Sequence, residues 1–252
     1  MVKTVFIKFL RRHWGHHVFL RRWLGDPQFT IIMATLNPGA KLRASLDSVL
    51  SQSGVSFELL IIDGGSTDHT IQTIQTLPEQ VHLIAESEPG VYTAMNRGLP
   101  AARGEIIYFL GAGDRLRPGI LQQVAAAWPE EQYSMLYGEV FMEDLGILYD
   151  GEFHKEKLRK TNICHQAIFY SSAIFHRHGA YDRRYRILAD YDLNLKIFGD
   201  AKSTIKFIPE IIADYEGNGL SAGTLDPNFQ ADKKQLCEER LGPKPKPESK
   251  LS

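Results

Sequence analysis

The chain has little cysteine, no long apolar run and almost no net charge. Its two cysteines, Cys164 and Cys237, lie far apart and show no metal-ligand spacing, so we expect no cysteine-based metal site. A reducing cytosolic compartment is the simpler interpretation of so few thiols. No apolar run approaches the roughly 18 to 20 residues of a spanning helix, and Arg and His interrupt the first residues where a cleavable signal would lie. We therefore predict a cytoplasmic protein that does not cross a membrane.

The net charge of −1 conceals an uneven distribution. Residues 1–25 contain six bases and no acid, so the rest of the chain carries a net charge of −7. The bases are Lys3, Lys8, Arg11, Arg12, Arg21 and Arg22. Because the positive charge belongs to this short segment and not to the larger acidic body, nucleic acid is not an expected partner.

The first residues, 1–27, form a basic leader with an amphipathic pattern. Its apolar residues recur at helical spacing, and Trp14 and Trp23 add aromatic anchors. The spaced apolar residues are Val2, Val5, Phe6, Phe9 and Leu10. This combination predicts reversible binding to an anionic membrane surface, at the inner face of the cytoplasmic membrane. Two alternatives remain open: the leader packs on its own domain as a terminal helix, or it is an extension without function.

Length and composition predict one folded domain with two appendages. A chain of 252 residues with 43% hydrophobic content can bury a full core. We place the domain at residues 28–241. The tail at 242–252 has Pro243, Pro245 and Pro247 among Lys and Ser, so we expect it to be flexible.

Apolar strands and amphipathic helices alternate in the first half of the domain. The predicted strands are 29–34, 57–62, 81–84 and 106–110, and the predicted helices are 41–52, a segment starting near Asp68, 92–102 and 118–128. This alternation predicts right-handed βαβ crossovers and a mostly parallel sheet flanked by helices, which is an α/β fold. Beyond Tyr133 the pattern changes to a smaller mixed half, with strands at 134–142, 163–170 and 203–208 and a helix at 191–198.

Two acidic loops follow the apolar strands. Asp63 opens one loop, which continues through Gly64 and Gly65 to Asp68, and Asp114 ends the other, which begins at Gly111. Loops at the carboxyl ends of parallel strands line the ligand crevice of an open α/β sheet. Two carboxylates there can converge on a polyanionic ligand and its metal, so a nucleotide-diphosphate site is the first hypothesis.

Five motifs in one order give the sequence a family resemblance. They are Thr35-Leu36-Asn37, the Asp63 loop, residues 88–98 (EPGVYTAMNRG), the Asp114 loop and Ala189-Asp190-Tyr191-Asp192. Over residues 28–222 the chain resembles family 2 glycosyltransferases with a GT-A fold, which is Rossmann-like. Within that family it looks similar to the type that builds exopolysaccharides such as colanic acid. Each motif alone is weak, but five in register are specific.

The resemblance implies a role for each motif on the donor side. Asp63 would hydrogen-bond the nucleobase, with Thr35 and Asn37 beside it. Asp114 would hold Mg²⁺ or Mn²⁺ on the donor diphosphate, next to Gly113. The segment with Tyr92 and Asn96 would approach the ribose and diphosphate. The alternative for Asp63 and Asp114 is ordinary turn chemistry before a helix or a proline.

On the acceptor side, the resemblance makes Asp190 the catalytic base. An inverting transfer needs a carboxylate that takes the proton of the acceptor hydroxyl. Asp192 is the rival base, and a helix-capping role for Asp190 is the alternative. His165 and Gln166 lie on the predicted strand at 163–170, where a histidine is either structural or in contact with substrate. Asn218-Gly219-Leu220-Ser221 is similar to a late active-site loop by fold analogy alone.

The resulting prediction is an inverting glycosyltransferase. It would move a sugar from a nucleotide-diphosphate donor, with UDP the first candidate, to a hydroxyl acceptor such as a lipid-linked oligosaccharide in polysaccharide biosynthesis. One alternative is a sugar nucleotidyltransferase, but Thr35-Leu36-Asn37-Pro38 supplies no basic glycine-rich phosphate loop. The other is a non-catalytic subunit that binds sugar nucleotides or glycans, suggested by Gly111-Ala112-Gly113 where many family members carry further acids.

Overall fold

A computed structural model describes residues 25–86, 88–217 and 225–244. The proposed leader lies outside the described residues except for its last three. So do the loop at 218–221 and most of the predicted tail. The account below concerns the described ranges.

A single nine-stranded sheet organises the fold, in the order β3-β2-β1-β4-β8-β6-β9-β5, with β7 paired to β6. The strands are β1 (Phe29–Thr35), β2 (Phe57–Asp63), β3 (Val81–Ala85), β4 (Ile106–Gly111), β5 (Arg115–Leu116), β6 (Ser134–Met142), β7 (Ile147–Tyr149), β8 (Ile168–Ser171) and β9 (Thr204–Tyr215). The helices are α1 (Lys41–Leu50), α2 (Thr70–Ile74), α3 (Val91–Gly98), α4 (Ile120–Ala127), α5 (Lys155–Leu158), α6 (Ser172–His178), α7 (Ala189–Gly199) and α8 (Pro227–Leu241).

The sheet has two halves of different construction. The parallel half consists of β1 to β4, whose mutual pairings are all parallel. The mixed half consists of β5 to β9, and it joins the parallel half where β8 runs antiparallel to β4. Parallel strands place their carboxyl ends at one edge, so the loops after β1, β2 and β4 begin on the same side of the sheet. The predicted α/β fold with a sheet flanked by helices is confirmed, but the mixed half, with five strands against four, is not the smaller half.

Helices cover both faces of the sheet because the central strands are apolar on both sides. On one face, the core includes Leu42 and Leu46 of α1 and Val124 of α4, packed with Ile31 and Met33 of β1. On the other face, α3, α7 and α8 contribute to a second core. Its members include Ile32, Met95, Leu193, Leu195 and Phe229. The site described below lies where these layers meet the carboxyl edge of the parallel strands.

Three parts of the mixed half differ from the sequence-based expectation. The strand predicted at 163–170 is wrong at its start, because a 3₁₀ helix at His165–Ala167 precedes β8, with the Ala167 N–H donating to the Cys164 carbonyl at 2.9 Å. β9 continues past Pro209 to Tyr215, beyond the predicted end at 208. The pattern analysis also missed α8, although Asp226 followed by Pro227 is a typical helix start.

Helix α8 packs closely on α7. The Cβ of any larger residue at Gly199, the last residue of α7, would overlap the carbonyl of Arg240 in α8. The Arg159 guanidinium donates to the carbonyls of Cys237, Leu241 and Gly242. It thereby satisfies carbonyls that the end of a helix leaves without intrahelical partners. At its other end, the Asp226 side chain accepts from the Phe229 N–H and also from the backbone N–H groups of Ile187 and Leu188.

Candidate active site

A cavity of about 670 Å³ opens where the parallel half meets the mixed half. It contains four of the residues predicted from the sequence: Asn37, Tyr92, Asp114 and Asp190. Its lining also includes Lys41, Met142, Leu145, Tyr149, Asn162, Cys164, His165, Gln166, Arg186, Tyr215 and Glu216. Thr35, Asp63, Asn96 and Gly113 are not part of this lining. The structure therefore brings together the predicted metal ligand and the predicted base.

Asp114 lies just after β4 and is buried, with 5% of its surface exposed. Its Oδ2 accepts from the Gln166 side-chain amide at 2.8 Å, and its Oδ1 accepts from the Glu216 backbone N–H at 3.1 Å. Burial raises the pKa of Asp114 to about 6, an effect that these two hydrogen bonds oppose and the nearby Glu216 charge reinforces. A bound cation would offset the cost of burying the Asp114 charge. It would also reduce the repulsion between the Asp114 and Glu216 carboxylates.

The loop before Asp114 is closely packed. Gly113 has φ +127°, and a Cβ there would come within 2.8 Å of Glu216 Oε2. The Gly113 N–H donates to Ser45 Oγ at 2.8 Å, which ties the loop to α1. Lys41, also on α1, forms an ion pair with Glu216 at 2.6 Å. Gly113 thus acts by leaving room for Glu216 beside Asp114.

Asp190, the second residue of α7, is likewise buried, with 5% exposed. Its Oδ1 accepts from the Tyr92 hydroxyl at 2.8 Å and from the Tyr191 N–H at 2.9 Å, while Oδ2 accepts from Asn162 Nδ2 at 3.0 Å. Burial raises the pKa of Asp190 to about 6, although these hydrogen bonds favour the charged form. A carboxylate with such a pKa is deprotonated at neutral pH and still accepts a proton readily.

His165 lies on the 3₁₀ helix before β8, and its side chain is next to that of Asp190. Its Nδ1 lies 3.8 Å from Asp190 Oδ2, and 21% of its side chain stays open towards the cavity. Enclosure by the protein lowers the pKa of His165 to about 4, so the imidazole is neutral at physiological pH. His165 and Asp190 therefore do not form an ion pair at neutral pH. The neutral ring has one nitrogen that donates and one that accepts, so it can hydrogen-bond a hydroxyl next to Asp190.

A buried chain of amides fixes the orientation of Asn162. Its Oδ1 accepts from Asn194 Nδ2 at 2.9 Å, and Asn194 Oδ1 accepts from the Tyr170 hydroxyl at 3.2 Å. Because Oδ1 of Asn162 is already an acceptor, its NH₂ group must be the end that faces Asp190. Asn194, which is fully buried on α7, therefore sets the hydrogen bond that reaches the predicted base.

Thr35 and Asp63 end the neighbouring strands β1 and β2 and face each other in register. Asp63 Oδ2 accepts from the N–H groups of Gly65 and Ser66 at 3.0 and 2.9 Å. The other oxygen, Oδ1, and Thr35 Oγ1 are both buried and lack a hydrogen-bond partner within the described part of the chain. Buried polar atoms are rarely left unpaired, so these two oxygens are candidate acceptors for a ligand.

Asn37 and Asn96 are engaged in joining segments. Asn37 Oδ1 accepts from the Thr67 N–H at 2.8 Å, which ties the loop after β1 to the loop after β2. The Asn96 amide donates to the Tyr181 carbonyl at 2.8 Å and accepts from the Tyr181 N–H at 2.9 Å. Asn37 still lines the cavity, whereas both ends of the Asn96 amide are directed at a backbone segment outside it.

Asp192, the rival base, is held elsewhere. It is 2% exposed and forms an ion pair with Lys196 one helical turn later, at 2.6 Å. It does not line the cavity. The geometry therefore favours Asp190 over Asp192 for contact with an acceptor.

The sequence analysis did not single out Glu216, Asn162 or Lys41, and it assigned Gln166 no role of its own. Glu216 follows β9 directly, so a correct end for that strand would have placed it at the sheet edge. Pro209 within the strand concealed this continuation, because proline usually ends a strand. Gln166 lies in the short 3₁₀ helix before β8 and Asn162 in irregular backbone ahead of it, and neither segment is long enough for periodicity to give a signal.

Two solved structures with a similar fold contain a nucleotide or a nucleotide sugar. S. aureus TarS 1-349 in complex with UDP aligns with a TM-score of 0.65 at 17% identity, covering 85% of this chain and 65% of that one. The mannosyltransferase PcManGT from Pyrobaculum calidifontis, in complex with GDP-Man and Mn²⁺, aligns with a TM-score of 0.59 at 15% identity, covering 94% and 81%. At these identities the likeness shows the shared GT-A fold.

The sequence comparison is more specific. The model of the family described as "Glycosyl transferase family 2" matches residues 30–186, and the chain belongs to this family. The "PGL/p-HBAD biosynthesis glycosyltransferase" proteins of Mycobacterium tuberculosis and Mycobacterium bovis are 40% identical over 227 residues, covering 87% of this chain and 88% of theirs. The predicted family and enzyme class are confirmed: the protein is a glycosyltransferase.

A divalent cation fits the residues at the end of β4. Asp114 and Glu216 supply carboxylate oxygens, the ligands that Mg²⁺ and Mn²⁺ prefer. Within residues 25–86, 88–217 and 225–244, no three His, Cys, Asp or Glu side chains are grouped to hold a metal without help. Such a site needs further oxygens from the donor diphosphate and water, as is usual for Mg²⁺.

None of the helices in those ranges has the length and apolar character required to cross a bilayer.

Proposed function

We propose that this glycosyltransferase moves a sugar from a nucleotide-diphosphate donor to a hydroxyl acceptor with inversion, and that Asp190 is its base. One observation carries the proposal: two buried aspartates, Asp114 and Asp190, line the same cavity, and each has a pKa raised to about 6. One carboxylate suits a cation on the leaving group, and the other suits a proton from the acceptor.

On the donor side, the unpaired Thr35 Oγ1 and Asp63 Oδ1 support a base-binding role. A nucleobase edge with an N–H group would satisfy the Asp63 oxygen, and uracil carries such a group. Thymine and guanine carry one too, so the preference for UDP rests on the family resemblance and on the complex of TarS with UDP. Asp114 and Glu216 would hold Mg²⁺ or Mn²⁺, which when bound neutralises charge on the departing diphosphate.

On the acceptor side, Oδ2 of Asp190 is the atom proposed to take the proton. Oδ1 already accepts two hydrogen bonds, from Tyr92 and the Tyr191 N–H, whereas Oδ2 accepts one, from Asn162, and lies towards His165. Neutral His165 would hold the same hydroxyl from its other side. Asn96 is proposed to support this arrangement by positioning the segment at Tyr181 and not by touching the donor.

The cellular setting stays a proposal. The basic leader predicts peripheral attachment to the inner face of the cytoplasmic membrane, where a lipid-linked acceptor for polysaccharide biosynthesis would be found. Attachment would raise the local concentration of such an acceptor. The exopolysaccharide type inferred by resemblance likewise remains a prediction, since the relatives named above carry a different biosynthetic label.

The deciding experiment is a panel of UDP-, GDP- and dTDP-sugars tested with Mg²⁺ or Mn²⁺. We expect one donor class to raise the melting temperature in a metal-dependent way and to be consumed when an acceptor is added. EDTA should abolish the shift. Absence of any nucleotide-dependent shift across the panel would contradict the donor assignment.

A further inference from the structure

We propose that the acceptor of this enzyme carries an apolar group, aryl or alkyl, next to its reactive hydroxyl, and that residues 142–149 bind that group. These residues run from the end of β6 through a turn into β7, and we call them the mouth hairpin. The inference rests on the proposed function, because it names the acceptor class for the same cavity.

The mouth hairpin exposes large apolar side chains in a short stretch. Leu145, Ile147 and Leu148 are 62%, 47% and 50% exposed. Single exposed leucines are common on protein surfaces, but a cluster beside a cavity is typical of a binding surface. The cluster also lies at a free edge of the sheet, because β7 pairs with β6 and with no other strand of the described chain.

Strand register shows which of these side chains faces the cavity. Directly paired residues of antiparallel strands point to the same face, and alternate pairs point to opposite faces. Met142 pairs with Ile147 and Val140 pairs with Tyr149, so these pairs share one face. Met142 and Tyr149 line the cavity, which places Ile147 on the cavity side. Leu145, in the turn, also lines the cavity.

Leu148 belongs to the opposite face. It pairs with Phe141, which precedes the cavity-lining Met142 and therefore points to the opposite face of the strand. The Arg117 guanidinium lies 5.8 Å from the Phe141 ring centroid on that other side. The same hairpin therefore offers two apolar side chains at the cavity mouth and one similarly exposed leucine directed away from it.

Three polar groups that neighbour the mouth hairpin, those of Tyr149, Asn162 and Tyr92, are already paired, whereas the carboxylate of Asp144, in the hairpin itself, also lines the cavity. The Tyr149 hydroxyl lies 2.7 Å from both Thr161 Oγ1 and the Asn162 carbonyl. The Asn162 amide is bonded at both ends, and the Tyr92 hydroxyl bonds to Asp190 and to the Ile187 carbonyl. These side chains offer a ligand chiefly their apolar surfaces. A densely hydroxylated group would lose its water without gaining equivalent hydrogen bonds there.

Continuity with the cavity decides among occupants. Leu145 belongs both to the exposed cluster and to the cavity lining, so an apolar group on the hairpin is connected directly to the space before Asp190. A second copy of the chain would instead lie across the mouth and obstruct entry, and a membrane surface would not account for an apolar side chain that lines the cavity, as Leu145 does. The acceptor's own apolar group is the occupant that uses both features.

The test compares n-octyl β-D-glucoside, below its micelle concentration, with methyl β-D-glucoside. Binding of each to the full chain is measured by calorimetry, without and with UDP and Mn²⁺. We expect the octyl compound to bind at least tenfold more tightly, since each buried methylene contributes about fourfold. In Leu145→Ser/Ile147→Ser this advantage should fall about tenfold, whereas the matched control Leu148→Ser should change it less than twofold.

Several results would overturn the inference. They are equal binding of the two glucosides, an octyl advantage that survives in the double variant, or an equal loss in Leu148→Ser. A changed oligomeric state or changed sedimentation with anionic vesicles, with the octyl advantage intact, would assign the hairpin to a partner copy or a lipid surface. Because the substituted side chains are exposed, the variants should keep their melting temperatures. Failure to bind UDP would contradict the proposed function separately, since the glucoside comparison is also made without nucleotide.

Discussion

Asp114 follows the last parallel strand, whereas Asp190 begins a helix of the mixed half, yet each depends on the opposite half for its orientation. Gln166, from the mixed half, donates to Asp114, and Tyr92, from the parallel half, donates to Asp190. The exchange is reciprocal, so neither carboxylate is positioned by its own half alone. Hydrogen bonds between the two halves therefore help to hold both carboxylates.

The carboxylates of Asp114 and Asp190 have similar pKa values but different neighbours. Asp190 has three hydrogen-bond donors and a neutral histidine beside it. Asp114 has two donors and a second acid, Glu216, in its electrostatic environment. An added acid favours a cation, whereas a lone, well-oriented carboxylate favours proton transfer. The following predictions test this division of roles.

The largest effect should come from Asp190→Asn. The substitution keeps the size of the side chain but removes its ability to accept a proton, so turnover should fall by roughly 10²- to 10⁴-fold. Donor affinity, measured by calorimetry, should hardly change. Asp192→Asn is the control, and it should keep most of the turnover. If Asp192→Asn loses activity and Asp190→Asn does not, the roles of the two residues are reversed.

Asp114→Asn should act on the donor. Loss of its charge should weaken metal-dependent nucleotide binding by at least the roughly 10- to 100-fold that is typical when a residue supporting a metal ligand is lost. Affinity measured in EDTA should differ little between the variant and the parent protein. An unchanged response of the variant to Mn²⁺ would remove Asp114 from the metal site.

Tyr92→Phe should shift the pH dependence of kcat/KM. Since Asp190 acts as a base only when deprotonated, activity should fall as pH drops through about 6. The Tyr92 hydroxyl favours the charged carboxylate, so its removal should raise the pKa and move the acidic limb upwards by roughly one pH unit. Tyr185→Phe, which removes a similar hydroxyl contact with Asp232 away from the cavity, should leave the limb in place.

The smallest effect on ligand binding should come from Asn96→Ala. Loss of two hydrogen bonds to the Tyr181 backbone should lower the free energy of unfolding by about 1 to 3 kcal/mol. Donor affinity should stay within twofold. The control Asn228→Ala, which loses one exposed bond to the Arg184 carbonyl, should destabilise less. A large loss of donor affinity at unchanged stability would instead place Asn96 on the nucleotide.

The two halves of the sheet also differ in how much of their structure the sequence predicts. In the parallel half, apolar runs such as the one in β4 identify strands, and the rule that sites follow their carboxyl ends leads directly to Asp63 and Asp114. In the mixed half, Asp190 was found only through family resemblance. Its neighbours Asn162 and His165 lie in irregular backbone and in a one-turn 3₁₀ helix, and long-range contacts, which periodicity does not record, bring them to it.

The close contact of α7 with α8 has a consequence for the exchange of backbone amides with solvent. Because Gly199 leaves no gap beneath the Arg240 carbonyl, and Arg159 holds the last carbonyls of α8, the two helices should open together. Amide deuteration of α8 should then report the opening of the helix that carries Asp190. A substitution near the start of α8, such as Phe229→Ala, would remove the ring that stacks on Tyr191 of α7 and should accelerate the deuterium uptake of α7, although Phe229 does not line the cavity.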